Sequence, residues 1–126
     1  MVKEKFISFT WSDGRYFDLW SIVHFLSGVF CGPAFVLIGV SLWPGLVIVL
    51  AAAIIYEYLE YLWGVSEDWR NLMADIVLAI VGCAVYLLLF RDQSSAFHWT
   101  VFTVDGMVNS ILTYIGYLNY RRRTGK

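Results

Sequence analysis

Apolar runs of about twenty residues recur along this chain, at 19–40, 42–63, 71–90 and 97–120, with only short polar connections between them. Wound as a helix, a run of roughly 20 residues matches the hydrocarbon core of a bilayer. A helix also closes its backbone hydrogen bonds within itself, as lipid demands. Hydrophobic residues make up 60% of the 126 positions and charged ones 15%. Soluble domains run at about 45–50% and about 25%. The pattern predicts an all-α integral membrane protein: one domain over 1–126 with four antiparallel transmembrane helices, the last span being the most polar.

Basic residues set the expected orientation. Lys3, Lys5 and Arg15 precede the first span, Arg70 lies between the second and third, and Arg121, Arg122, Arg123 and Lys126 follow the fourth. Only Arg91 falls on the opposite side. The positive-inside rule then makes both termini cytoplasmic, in a plasma (inner) membrane. The residues before the first span include Glu4, Asp13 and Asp18, which does not read as a secretory signal. The basic RRRTGK tail reads as a topology anchor beside anionic lipid. Nucleic acid is not expected as a partner. Cys31 and Cys83 both fall inside spans, so no disulfide framework is expected.

Local signals refine the helices. Ser66 is expected to cap the third, with Glu67 and Asp68 in its first turn. Pro44 stands near the start of the second. Pro33 is expected to kink or break the first. Gly28 and Gly32 allow close helix approach, and His24 lies one turn before Gly28 on the same, inward face.

The residues that do not belong in lipid carry the functional signal. Glu57, Glu60, Asp75 and Asp105 are carboxylic acids inside apolar runs, and His24 reads as the only basic residue within the spans. A charge there costs several kcal/mol unless it is paired, protonated, metal-bound or wetted. At about 1.5 Å of rise per residue, His24 and Glu57 lie roughly 9 Å from the cytoplasmic boundary, Asp75 about 7 Å and Glu60 about 5 Å. Thr113 lies about 10 Å in. Glu57 and Glu60 share a helix face. One site is therefore expected, built from His24, Glu57, Glu60, Asn71 and Asp75, with Thr113 at the same level and Arg70 or Arg15 within snorkelling reach.

Three nearby carboxylates do not all ionise without a cation. Shared protons would make the cluster a relay or an acid/base pair. A divalent metal held by His24, Glu57, Glu60 and Asp75 is a second solution, since His with carboxylates is a hard ligand set. A hydrogen-bonded cluster that merely ties helices together is a third.

A second polar group, Asp105 and Asn109, sits on the fourth span, with Asp105 about 22 Å from the cytoplasmic end. The series Asn71, Asp75, Gly82, Tyr86 is echoed by Asp105, Asn109, Gly116, Tyr120 at equal spacing. The echo places Asp105 and Asn109 on an inward face, where they could extend a polar path. The competing expectation has Asp105 capping a helix that begins at Thr103, with 92–102 lying in the interface.

The stretches DLWSIVHFLSG from Asp18, YEYLEYLWG from Tyr56 and WRNLMADIVLAIVG from Trp69 resemble the VanZ-like group of small membrane proteins, and are similar to the YjdF-type inner-membrane proteins. The likeness covers about half the chain. It rests on Asp18 and His24, Glu57 and Glu60, and Asn71, Asp75 and Gly82. Asn71 stands where an acid is commoner in that group. The resemblance implies a cell-envelope role close to lipid headgroups or lipid-linked precursors.

Three functions follow as expectations. The first is handling of a lipid headgroup or lipid-linked phosphate, with His24, Glu57, Glu60 and Asp75 as acid, base or ligands and Asn71 as a hydrogen-bond donor. The second is passage of a proton or small cation along Asp75, Glu57, Asn109 and Asp105, which requires a homo-oligomer. The third is a non-catalytic subunit of a larger membrane complex.

Overall fold

The computed structural model describes residues 5–12, 14–65 and 67–125. Two short strands, β1 (Lys5–Ile7) and β2 (Gly14–Phe17), pair in parallel and precede four helices: α1 (Leu19–Leu37), α2 (Leu42–Leu62), α3 (Trp69–Leu89) and α4 (Ser95–Thr124). The strands were not anticipated. β2 packs against α3, where Arg70 lies over the Tyr16 ring, and the segment is tied to α1 where the Leu19 amide donates to the Thr10 carbonyl.

Each helix boundary has a local cause. Asp18 caps α1: its carboxylate accepts from the Trp20 and Ser21 amides while Ser21 Oγ accepts from the Asp18 amide. This reciprocal arrangement satisfies donors the helix itself leaves free. α1 ends earlier than the hydropathy implies, because Gly39 takes a left-handed φ of 77°. The Val40 and Gly39 amides then reach back to the Phe35 and Val36 carbonyls, the double closure that a glycine just past a helix end permits. Gly64, at φ 82°, closes α2 in the same way, with Val65 and Gly64 bonding back to Glu60 and Tyr61.

Expectations about a cap and a break are corrected. Asp68, rather than Ser66, caps α3 by accepting from the Arg70 amide; Ser66 lies outside the described residues. Glu67 and Asp68 precede the helix instead of occupying its first turn. Pro33 does not break α1, which continues through it to Leu37. It stands near the helix end, where its missing donor removes one bond of the final turns.

α1 is the hub, packing on α3 and α4, while α2 packs chiefly on α3. The α1–α3 seam is built from glycines. A Cβ on Gly28 would collide with the Ala79 carbonyl oxygen, and one on Gly82 with the Phe25 carbonyl oxygen. This is close backbone approach of the kind small residues allow between membrane helices. Contacts climb α1 and α3 in step: Ser21 meets Asp75, Gly28 meets Ala79, Gly32 meets the Tyr86 ring. Along α4 the order reverses, with Trp20 beside Gly116, Ser27 bonded to Asn109, and Phe30 stacked on Phe102.

Phe35, Val49, Ala53, Ile76, Ala79, Cys83 and Leu87 form the apolar core between α1, α2 and α3. Outside it, large apolar side chains stay exposed along α2, α3 and α4, among them Ile55, Leu62, Val77, Leu88, Met107 and Ile111. Surfaces this apolar are disfavoured in water and suited to lipid. α1, α2 and α3 are long and apolar enough to cross a membrane. α4 has ample length, at 30 residues, but carries His98, Asp105, Asn109 and three terminal arginines.

Candidate functional site

Three helix ends bring the acids together. His24 lies five positions into α1, Glu57 five before the end of α2, and Asp75 six into α3. At about 1.5 Å per residue each is roughly 7–9 Å from its helix end. His24 Nε2 stands 3.6 Å from Glu57 Oε1 and 3.7 Å from Asp75 Oδ2. All three are buried: Asp75 is 0% exposed, Glu57 6% and His24 8%.

Those separations are informative. They exceed the 2.7–3.2 Å of ordinary N–H···O bonds. Two ligands of one tetrahedral ion, with bonds of about 2.0–2.2 Å, stand roughly 3.3–3.6 Å apart. One donor atom from each of His24, Glu57 and Asp75 lies within 4.8 Å of the others, so the trio could hold a metal ion. Glu57 Oε1 is buried without a hydrogen-bond partner among the described residues.

A second layer orients the trio. Ser21 Oγ donates to Asp75 Oδ1 at 2.7 Å, leaving Oδ2 turned toward His24. The Tyr56 ring meets the His24 ring edge-on, with centroids 5.4 Å apart. Asn71 Nδ2 lies 3.4 Å from carboxylate oxygens of Asp18, Glu67 and Asp75 alike. The expectation of a donor at Asn71 fits this placement. A carboxylate there would add a further like charge where the amide supplies hydrogens.

Glu60 joins the site through a different grouping. Donor atoms of Glu57, Glu60 and Glu67 also lie within 4.8 Å of one another, with Glu57 common to both sets. Glu67, in the loop before α3, is exposed as a residue, yet its carboxyl turns inward toward Asn71. Loss of water around that carboxyl, with the like charges of Glu60 and Asp18, pushes it up to about 7. Asp18 is likewise raised by burial, against the lowering effect of its bonds from Trp20, Ser21 and Asn71.

The rest of the expected set is not bonded to the trio. Thr113 Oγ1 donates to the Asn109 carbonyl on its own helix, and among the described residues no hydrogen bond joins it to the cluster. Asn109 Nδ2 donates to Ser27 Oγ at 2.9 Å, on α1. Asp105 is buried in mid-helix, which removes its alternative role as a cap at Thr103; α4 begins at Ser95 with Ser94 as its cap. Among the described residues, no hydrogen bond or ion pair joins Asp105 or Asn109 to the trio. Among the described residues no ion pair joins Arg70 to these acids; its guanidinium packs over the Trp69 and Tyr16 rings.

Three residues escaped the sequence reading. Ser21 and Glu67 both serve the acidic end. His98 falls within the span expected over 97–120, so His24 is not the only basic residue there; it is 2% exposed, with Nδ1 2.7 Å from Tyr86 Oη. Ser21 had a legible signal, lying three positions from both Asp18 and His24 on one face of α1.

No known protein family, curated protein or solved structure matches this chain.

Proposed function

We propose that this chain is a VanZ-like integral membrane protein that handles the phosphate-bearing headgroup of a membrane lipid or lipid-linked envelope precursor. It does so at a divalent-metal centre formed by His24, Glu57 and Asp75. The observation that carries the reading is the spacing of that buried trio, too long for hydrogen bonds and close to that of ligands on one ion. The expected topology agrees with it. Were the four helices to alternate across the inner membrane with both termini cytoplasmic, the trio would lie where acyl chains give way to headgroups.

A bound divalent ion would polarise a phosphoryl oxygen as a Lewis acid. His24, Glu57 and Asp75 would hold it; Ser21 would fix the Asp75 carboxylate. Glu60 and Glu67, at the aqueous side, would stand nearest an incoming headgroup and its water.

The test is elemental analysis of protein purified in detergent, wild type beside Glu57→Gln and Asp75→Asn, with binding of phospholipid headgroups measured on the same samples. Stoichiometric metal, lost in both variants together with headgroup binding, is the expected result. Unchanged metal and lipid binding in both variants would end the proposal.

A second reading, passage of a proton or small cation through an oligomer, draws on one observation: Asp105 Oδ2 is buried without a hydrogen-bond partner among the described residues. Liposomes that show no pH- or cation-driven flux would remove it.

A further inference from the structure

We propose that the acidic end is built for two divalent cations that share Glu57 as a bridging ligand, the first between His24, Glu57 and Asp75 and the second between Glu57, Glu60 and Glu67. This rests on the metal reading of the trio and adds a second ion to it.

Geometry is the first support. Each of the two sets gathers its donor atoms within 4.8 Å, and the Glu57 carboxylate belongs to both. A carboxylate has two oxygens and about four lone-pair sites. It can therefore serve two ions, and paired metal sites stand about 3.5–4 Å apart.

The unmet bonding of Glu57 is the second. Its side chain is 94% buried by its 6% exposure, it faces His24 Nε2, and its Oε1 has no hydrogen-bond partner among the described residues. A buried polar oxygen left in that state costs about 1–3 kcal/mol, more when charged. An ion bound at this oxygen would remove the cost.

Charge is the third. Asp18, Glu57, Glu60, Glu67 and Asp75 crowd one end of the bundle, and the neutral donors Ser21 and Asn71 are shared among them. His24 is the basic side chain in contact with Glu57 and Asp75. Arg70 is turned onto aromatic rings, and Arg123 acts on Asp18. One divalent ion would offset the charge of Glu57 and Asp75 and leave Glu60 and Glu67 facing each other. A second would offset those.

The two positions differ in chemistry. The inner set includes an imidazole and is buried, which suits zinc or manganese and slow exchange. The outer set is all carboxylate, with Glu60 half-buried and Glu67 exposed, which suits magnesium, manganese or calcium and fast exchange. Such a pair would clamp opposite oxygens of a phosphate ester.

The experiment uses the full chain in detergent, stripped with chelator and titrated with Mn²⁺ alone. Bound metal is counted after equilibrium dialysis, and spin coupling is read by electron paramagnetic resonance. Wild type should bind two equivalents, the second at least about tenfold more weakly, and show an exchange-coupled spectrum only near two equivalents. Glu67→Gln, which removes the charge and keeps a side chain of the same shape beside Asn71, should bind one equivalent. One equivalent in both proteins would overturn the second ion and leave the first standing. Two equivalents without coupling, unchanged by Glu67→Gln, would overturn the bridge. No bound Mn²⁺ in either would remove the metal reading altogether.

Discussion

The two ends of the bundle bury polar side chains in opposite ways. At the far end Tyr86, near the close of α3, and His98, near the start of α4, form one contact of 2.7 Å. At the acidic end, His24, Glu57 and Asp75 face each other at 3.6 and 3.7 Å with like charges beside them. The first is a staple that joins two helices across a turn through Tyr86 Oη and His98 Nδ1, although His98 Nε2 is buried without a partner among the described residues. The second brings three ionisable groups face to face with no direct hydrogen bond between them and leaves Glu57 Oε1 unpartnered, whereas buried polar groups are nearly always hydrogen-bonded. Polar content, or one unmet bond, does not mark a site in a membrane bundle. Several ionisable groups converging at ligand spacing do.

Removing Glu57 should separate the two ends most sharply. Glu57→Gln keeps the shape of the side chain and cancels its charge. Metal affinity should fall by more than the about 10–100-fold that loss of a mere orienting partner costs. Thermal stability without metal should hold or rise, because a like charge beside Glu60 and Asp75 is gone. Dialysis against Zn²⁺ or Mn²⁺ followed by elemental analysis decides the first point, and melting in detergent the second. A variant that kept its metal would make the acidic end another staple.

Ser21→Ala is next in size. It removes the 2.7 Å bond that holds Asp75 Oδ1 and frees the carboxylate to turn. An orienting partner of this kind is worth about 10–100-fold in metal affinity. If affinity stayed within about twofold, Asp75 would be fixed by something other than Ser21, with Asn71 the next side chain to change.

These two substitutions also show how far the sequence could be read. The apolar helices, their packing glycines and the inward faces of His24, Glu57 and Asp75 follow from composition, spacing and depth, which are local properties. The echo between Asn71–Gly82 and Asp105–Gly116 carries real geometry, for both helices turn that face to α1: Asp75 meets Ser21, and Asn109 meets Ser27. Helix ends were less legible. Gly39 stops α1 by its left-handed backbone, while hydropathy runs on past it to Val40; at Gly64, which closes α2, the two signals coincide. Ser21 and Glu67 were missed because neither is unusual alone; each matters through a partner on another element. Thr113 was placed by depth alone, and depth says nothing about which way a side chain turns. His98 was overlooked because its partner Tyr86 is on the preceding helix, across a loop.

Tyr86→Phe probes the other end with a smaller expected effect. It deletes the phenol hydroxyl and leaves His98 Nδ1 buried without its bond. The loss should be about 1–3 kcal/mol of stability, read as a lower melting temperature in detergent. Metal content should not change. A fall in metal binding would mean that the two ends are coupled through α3, and that the Tyr86–His98 pair is more than a staple.

Thr113→Val tests whether α4 belongs to the acidic end at all. The valine has nearly the shape of threonine, and the hydroxyl it lacks only bonds back to the Asn109 carbonyl of the same helix. That carbonyl already serves the helical ladder, so stability should move by no more than about 0.5 kcal/mol. α4 meets α1 through the Ser27–Asn109 bond and through Trp20 against Gly116, and among the described residues no hydrogen bond or ion pair joins it to the trio. Metal affinity should therefore be unaffected. A tenfold loss on Thr113→Val would place α4 in the acidic site, and the division between a site made by α1, α2 and α3 and a fourth helix that braces it would fail.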